Sequence, residues 1–141
     1  DDGGESWQLA VTGLPDEPVM ALALSADSRV LYANLAVDPT IYASTDGART
    51  WSAVGADGEV CCNVPRVMRV APDDPQRLYI VQPAADANLS ISSDGGATWQ
   101  RDTKLLLPTI RRIKFFDARQ GWAIAQRSGL FPSSVFTTSG S

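Results

Sequence analysis

Apolar residues in this chain come in short runs, broken at regular intervals by turn residues. Residues 19–24, 29–33 and 40–43 are rich in Val, Leu, Ile, Ala and Tyr, and the breaks between them are Ser25-Ala26-Asp27-Ser28 and Asp38-Pro39. The scheme recurs at 66–70, 77–81 and 88–91, where Ala71-Pro72-Asp73-Asp74-Pro75 supplies the first break, and again at 110–115, 121–125 and 134–137. Strands of about 5–6 residues with turn chemistry roughly every 8–12 predict an all-β protein. A sustained helical period is missing and prolines interrupt the candidate stretches, so no helix is expected.

The runs belong to a repeat. Asp2-Gly3-Gly4-Glu5-Ser6-Trp7, Asp46-Gly47-Ala48-Arg49-Thr50-Trp51 and Asp94-Gly95-Gly96-Ala97-Thr98-Trp99 align without gaps, so the aspartates at 2, 46 and 94 lie 44 and 48 residues apart. A weaker fourth copy, Val135-Phe136-Thr137-Thr138-Ser139-Gly140, places Ser139 45 residues after Asp94. A period of about 40–50 residues is that of four-stranded propeller blades. It divides a single domain, 1–141, into repeats near 1–46, 47–94 and 95–141.

Ser44-Thr45-Asp46-Gly47-Ala48-Arg49-Thr50-Trp51 and Ser92-Ser93-Asp94-Gly95-Gly96-Ala97-Thr98-Trp99 resemble the Asp-box, or BNR repeat, whose pattern is Ser-x-Asp-x-Gly-x-Thr-Trp. The resemblance implies a β-propeller of the photosystem II assembly factor-like, sortilin-like or sialidase-like kind, about three four-stranded antiparallel blades long. In it, each box is the hairpin between the third and fourth strands of a blade. The box aspartates of such families lie on the blade periphery, away from any catalytic centre. That makes Asp2, Trp7, Ser44, Asp46, Thr50, Trp51, Ser92, Asp94, Gly96, Thr98 and Trp99 structural.

The residue types suit that role. An Asp side chain accepts bonds from backbone N–H groups just ahead of it, and Gly supplies positive φ cheaply. A Trp ring buries roughly 150–250 Å², while Ser and Thr hydroxyls tie up remaining backbone groups. Ala48 stands where Gly is expected, at a cost of about 1 kcal/mol if φ is positive there, and distortion of that turn is expected. Trp122, within Gly121-Trp122-Ala123-Ile124-Ala125, reads as blade core.

Counted along the chain, the expected strands are one outer strand at 7–11, two units of four, and three more. Closed propellers have about 4–8 blades, and open sheet faces leave edges and apolar surface exposed. Two arrangements follow: a piece of a longer ring, or a half that self-associates into a six-bladed dimer. In the dimer, segment 7–11 of one chain completes the blade ending at Phe136 of the other.

Charge and composition narrow the function classes. The 141 residues are 44% hydrophobic and 20% charged, with net charge −4 and pI about 4.6. Arg111, Arg112 and Lys114 are the only basic cluster, so no nucleic-acid partner is expected. No apolar run reaches the roughly 18–20 residues of a membrane span. Asp1-Asp2-Gly3-Gly4-Glu5 is not a signal peptide, and if the protein is exported the compartment expected is extracellular or periplasmic. Histidine is absent, which excludes His bases, nucleophiles and ligands. Cys61 and Cys62 are adjacent, either as thiols or as a vicinal disulfide, and two cysteines make no zinc site. No metal or cofactor is expected.

A non-catalytic scaffold that binds a protein or glycan ligand on the ring face is therefore the first reading. Its candidate loops are 57–63, 83–88 and 127–133. The alternative is part of a sialidase-like or xyloglucanase-like glycoside hydrolase. Against it, the Arg-Ile-Pro signature that resemblance would imply is absent at Pro65-Arg66-Val67, and Glu5, Glu17 and Glu59 have no sequence-paired Tyr. The carboxylate pairs Asp57/Glu59 and Asp73/Asp74 read better as turn residues. Asn88-Leu89-Ser90 is a glycosylation sequon. No P-loop or calcium loop is present.

Overall fold

The computed structural model describes residues 3–54, 67–81, 89–102, 110–117, 120–125 and 135–139. These residues form only strands and turns, as the alternating runs predict. The first sheet holds β1 (Val19–Leu24), β2 (Leu31–Leu35), β3 (Ile41–Ser44) and β4 (Ser52–Val54), in that order. The second holds β5 (Val67–Val70), β6 (Leu78–Val81), β7 (Leu89–Ser92) and β8 (Gln100–Asp102). The third has β9 (Ile110–Phe115), β10 (Gln120–Ala125) and β11 (Val135–Ser139), with β10 in the middle. All neighbours are antiparallel meanders.

Register makes the first two sheets superimposable in sequence. Leu24 faces Leu31 and Leu31 faces Ser44, just as Val70 faces Leu78 and Leu78 faces Ser92. Leu22 and Leu24 therefore correspond to Met68 and Val70. The first connections in these sheets are built from aspartate turns. Asp27 accepts from Ser25 Oγ at 2.6 Å and from the Arg29 amide at 3.1 Å, while Asp74 accepts from the Gln76 amide at 2.9 Å. Arg77 straddles Asp73 and Asp74 at 3.2 and 3.5 Å, so this carboxylate pair is spent on the turn.

The sheets stack face to face, with the innermost strands β1, β5 and β9 adjacent in series. Strand alternation sends one set of side chains forward and the other back. Ala23, Tyr32 and Ile41 of the first sheet meet Met68, Leu78 and Ile80 of the second. Val67 and Val81 on the opposite face of the second sheet meet Ile110, Ile113 and Ala123 of the third. Each fully buried aliphatic or aromatic side chain here contributes about 1.5–3 kcal/mol. Across the second junction Tyr79 and Phe115 lie 4.6 Å apart at 34°. Arg69 bridges it as well, donating from Nε to the Ile113 carbonyl at 3.0 Å and from Nη1 to the Met68 carbonyl at 2.7 Å. Across the first, the Tyr32 hydroxyl donates to the Pro75 carbonyl at 2.9 Å.

Three expectations need correction. Residues 7–11 form no strand, and Trp7, expected to pack, is 89% exposed, as is Leu9 at 87%. The segment instead lies against the first sheet: the Trp51 indole donates to the Ala10 carbonyl at 3.0 Å and the Trp51 amide to the Thr12 carbonyl at 2.9 Å. Gly13 permits this approach, because a Cβ there would collide with the Trp51 carbonyl. Ser139, expected to stand at a turn, lies inside β11 opposite Gln120, so that ladder runs on where the other two sheets turn. The third correction concerns Ala48 and belongs with its turn.

Candidate functional site

The two aspartate turns have one construction. Ser44 ends β3 and Ser92 ends β7, both buried. Each hydroxyl donates to its aspartate's Oδ1 at 2.8 Å and accepts the amide four residues on, Ala48 at 2.9 Å and Gly96 at 2.8 Å. Asp46 Oδ1 then accepts the Thr50 amide at 2.9 Å and Oδ2 the Thr50 hydroxyl at 2.6 Å. Asp94 does the same with Thr98, at 2.8 and 2.5 Å. Both oxygens of each carboxylate are thus engaged within the turn.

Backbone angles match too. Gly47 and Ala48 have φ of 75° and 69°, Gly95 and Gly96 have 71° and 97°, and Gly3 and Gly4 repeat the pattern at 66° and 92°. Ala48 does sit at positive φ, yet its turn keeps the serine, aspartate and threonine bonds of the Gly96 turn. The expected distortion does not occur, because five side-chain and backbone bonds over-determine the conformation and the strain stays local. Asp2 lies outside the described residues.

These bonds set the electrostatics. The Thr50 hydroxyl, then the Thr50 amide and the Ser44 hydroxyl, hold the Asp46 carboxyl at about 2, below its ordinary 3.8. Thr98 and Ser92 hold Asp94 at about 2 likewise. A carboxyl stabilised as its anion at the surface is a poor proton donor, the opposite of what a general acid needs.

The tryptophans that close the turns anchor them to the preceding layer. Trp51 is buried with Ala33, Leu35 and Tyr42, alongside Leu14. Trp99 packs onto the junction between the first two sheets and donates its indole N–H to the Gly96 carbonyl of its own turn at 3.0 Å. Sequence spacing gives both residues the same role, but not this difference in partner. Trp122 is half-buried on β10 and faces Lys114 and Thr137 across the ladder.

The opposite end of the first sheet carries the β2–β3 connection. The candidate loops 57–63, 83–88 and 127–133 lie outside the described residues, as do Asp57, Glu59, Cys61, Cys62 and Asn88. Ser90 of the sequon is buried in β7. The described part of this end is a small network that sequence reasoning missed. Glu17 accepts the Val37 and Asp38 amides, both at 3.0 Å, and Asp38 accepts the Thr40 amide and the Tyr42 hydroxyl, both at 2.8 Å. Thr40 and Tyr42 lower the Asp38 pKa, while burial and then Asp38 push the Tyr42 phenol up to about 12. Among the described residues no group of three His, Cys, Asp or Glu side chains could hold a metal, and no helix is long and apolar enough to cross a membrane.

Stacked antiparallel meanders with adjacent inner strands define a β-propeller fold, and solved structures share it. YCF48 bound to D1 peptide superposes with a TM-score of 0.59 at 16% identity, over 89% of this chain and 40% of that one. The GH74 enzyme of Niastella koreensis gives 0.62 at 18% identity, over 86% of this chain and 21% of the enzyme. An ancestral GH74 enzyme gives 0.64 at 17%, over 97% and 19%. The chain therefore spans well under half the length of these structures. No protein-family model matches it, and no curated protein does.

Proposed function

We propose that this chain is a β-propeller segment serving as a binding and assembly scaffold, with the Asp46 and Asp94 turns as architecture. One observation carries the reading: both carboxylates are consumed by bonds within their own turns and held ionised. What remains for recognition is the end of the sheets that bears Glu17, Val37 and Asp38. The fold neighbour YCF48, bound to a D1 peptide, favours an extended peptide as the ligand. Fluorescence polarisation with a panel of labelled peptides, the D1 peptide included, tests this. Saturable binding that Val37→Lys weakens and Asp94→Asn leaves intact is the expected result. Absence of binding to every peptide contradicts it.

Part of a glycoside hydrolase is the second reading, favoured by the GH74 superpositions. Fluorogenic sialosides and glucan oligomers separate the two. Turnover abolished by a single carboxylate substitution would replace the scaffold reading with this one.

A further inference from the structure

The chain contains four Asp-Gly pairs, at 2–3, 46–47, 57–58 and 94–95, and the pairs at 46–47 and 94–95 lie whole within described turns. Asp-Gly is the dipeptide most prone to cyclise, because glycine has no Cβ to keep its amide nitrogen away from the neighbouring side chain. The two turns treat that nitrogen differently. In the second sheet the Gly95 amide donates to the Gln76 carbonyl at 2.8 Å, and the Gln76 side chain lies against Gly95 where a Cβ would stand. In the first sheet the Gly47 amide has no acceptor among the described residues. The cause is the length of the first connection in each sheet. Leu24 faces Leu31 across residues 25–30, whereas Val70 faces Leu78 across residues 71–77, one residue more. The longer connection carries the Gln76 carbonyl to the neighbouring aspartate turn. Arg29, which stands two positions before Leu31 as Gln76 stands before Leu78, makes no such bond to Gly47. In each case the connection and the aspartate turn belong to the same sheet.

We infer that Asp46-Gly47 is a site of spontaneous isoaspartate formation in the folded protein, and that the Gln76 carbonyl guards Asp94-Gly95 against the same reaction. In that reaction the Gly47 nitrogen attacks Asp46 Cγ and forms a C–N bond. The amide proton and the carboxyl hydroxyl leave together as water, closing a succinimide ring. Water then opens the ring at either carbonyl. Opening at the main-chain carbonyl routes the backbone through the former side chain, so the mass is unchanged and the backbone gains a methylene. A nitrogen whose hydrogen is held by a carbonyl must first give up that bond. One such bond, at about 1.4 kcal/mol, corresponds to attack about tenfold slower. The carboxyls do not separate the two turns. Both are bonded alike by their serine and threonine and held ionised, which slows both sites equally because water leaves from the acid form. Isoaspartate at position 46 loses the bonds to Ser44 and Thr50, and so loosens the β3–β4 hairpin beside Trp51.

Incubation of the full chain at neutral pH and physiological temperature for weeks, followed by tryptic digestion, tests the inference. Asp46 falls in the peptide 30–49 and Asp94 in the peptide 78–101. Enzymatic methyl transfer to isoaspartyl carboxyls quantifies the product in each, and electron-transfer fragmentation locates it. Isoaspartate should form at Asp46 about tenfold faster than at Asp94, and the two rates should converge in denaturing urea. Amide hydrogen exchange gives an independent reading, with Gly95 protected and Gly47 open. Thr50→Val, which releases Asp46 Oδ2, speeds the reaction at Asp46. Thr98→Val releases Asp94 Oδ2 but leaves that site slower, since the Gly95 nitrogen is still held. Equal rates in the folded chain, or a faster rate at Asp94, would overturn the inference. So would an absence of isoaspartate at Asp46 over a period in which the urea-unfolded chain converts. A Thr98→Val variant that keeps its circular dichroism and isomerises as fast as Thr50→Val also contradicts it, because the carboxyl clamp alone would then set the rate.

Discussion

At the scale of single residues, two aspartates and two small residues carry most of what can be tested. The folded pKa of Asp46 and of Asp94 is about 2, below the unfolded value near 3.9. A depressed carboxyl pKa gives stability that is present above the unfolded value and lost as pH falls through the folded one. The thermal midpoint should therefore fall between about pH 4 and pH 2. Asp94→Asn should lower the midpoint at neutral pH and flatten that acid limb; an acid limb unchanged by the substitution contradicts the bonding described. Gly96 and Ala48 occupy equivalent positions with different neighbours. A Cβ at Gly96 would lie 3.3 Å from Leu78 Cδ1 and 3.5 Å from Ile41 Cγ2, at φ +97°. Gly96→Ala should destabilise by about 1–2 kcal/mol. Ala48→Gly should be neutral or stabilising by less than about 1 kcal/mol, because strain relief offsets the added unfolded-state freedom. Urea titrations of the two variants check both signs.

At the scale of strands and junctions, the alternating runs located nine of the eleven described strands to within two residues, all but β4 and β8, because period-2 patterning and aspartate or proline turns are local properties. Residues 7–11 show where that stops. Their Trp-x-Leu-x-Val pattern marks a segment able to be a strand, but a strand exists only beside a neighbour, and the pattern names none. Arg69 and Asn34 were illegible for the same reason: each is an ordinary strand residue until the next sheet arrives. Arg69→Met keeps the alkyl packing and removes the bonds to the Met68 and Ile113 carbonyls, so a loss of about 1.5–3 kcal/mol is expected. Asn34 is buried on β2 with no hydrogen-bond partner for its Nδ2 or Oδ1, where the second sheet has Val81. A buried amide left without partners costs about 1–3 kcal/mol. Asn34→Val should raise the thermal midpoint, and a lowered midpoint would mean that ordered water satisfies the amide.

At the scale of the whole molecule, the repeat of about 45 residues was the informative signal. It located the Asp46 and Asp94 turns and implied stacked sheets. The turns hold as hydrogen-bonded units because their partners lie within five residues of one another. The recognition end was far less legible, since its Glu17–Asp38–Tyr42 network joins residues 25 positions apart with no motif to flag it. The account depends on sheets meeting face to face in series, the rear of one on the front of the next. Methyl-selective NMR measures this directly. Cross-peaks are predicted from the Met68 methyl to Ala23, Tyr32 and Ile41, and from Ile113 to Val67 and Val81. Methyl contacts confined within each sheet, with none of these between sheets, would contradict it.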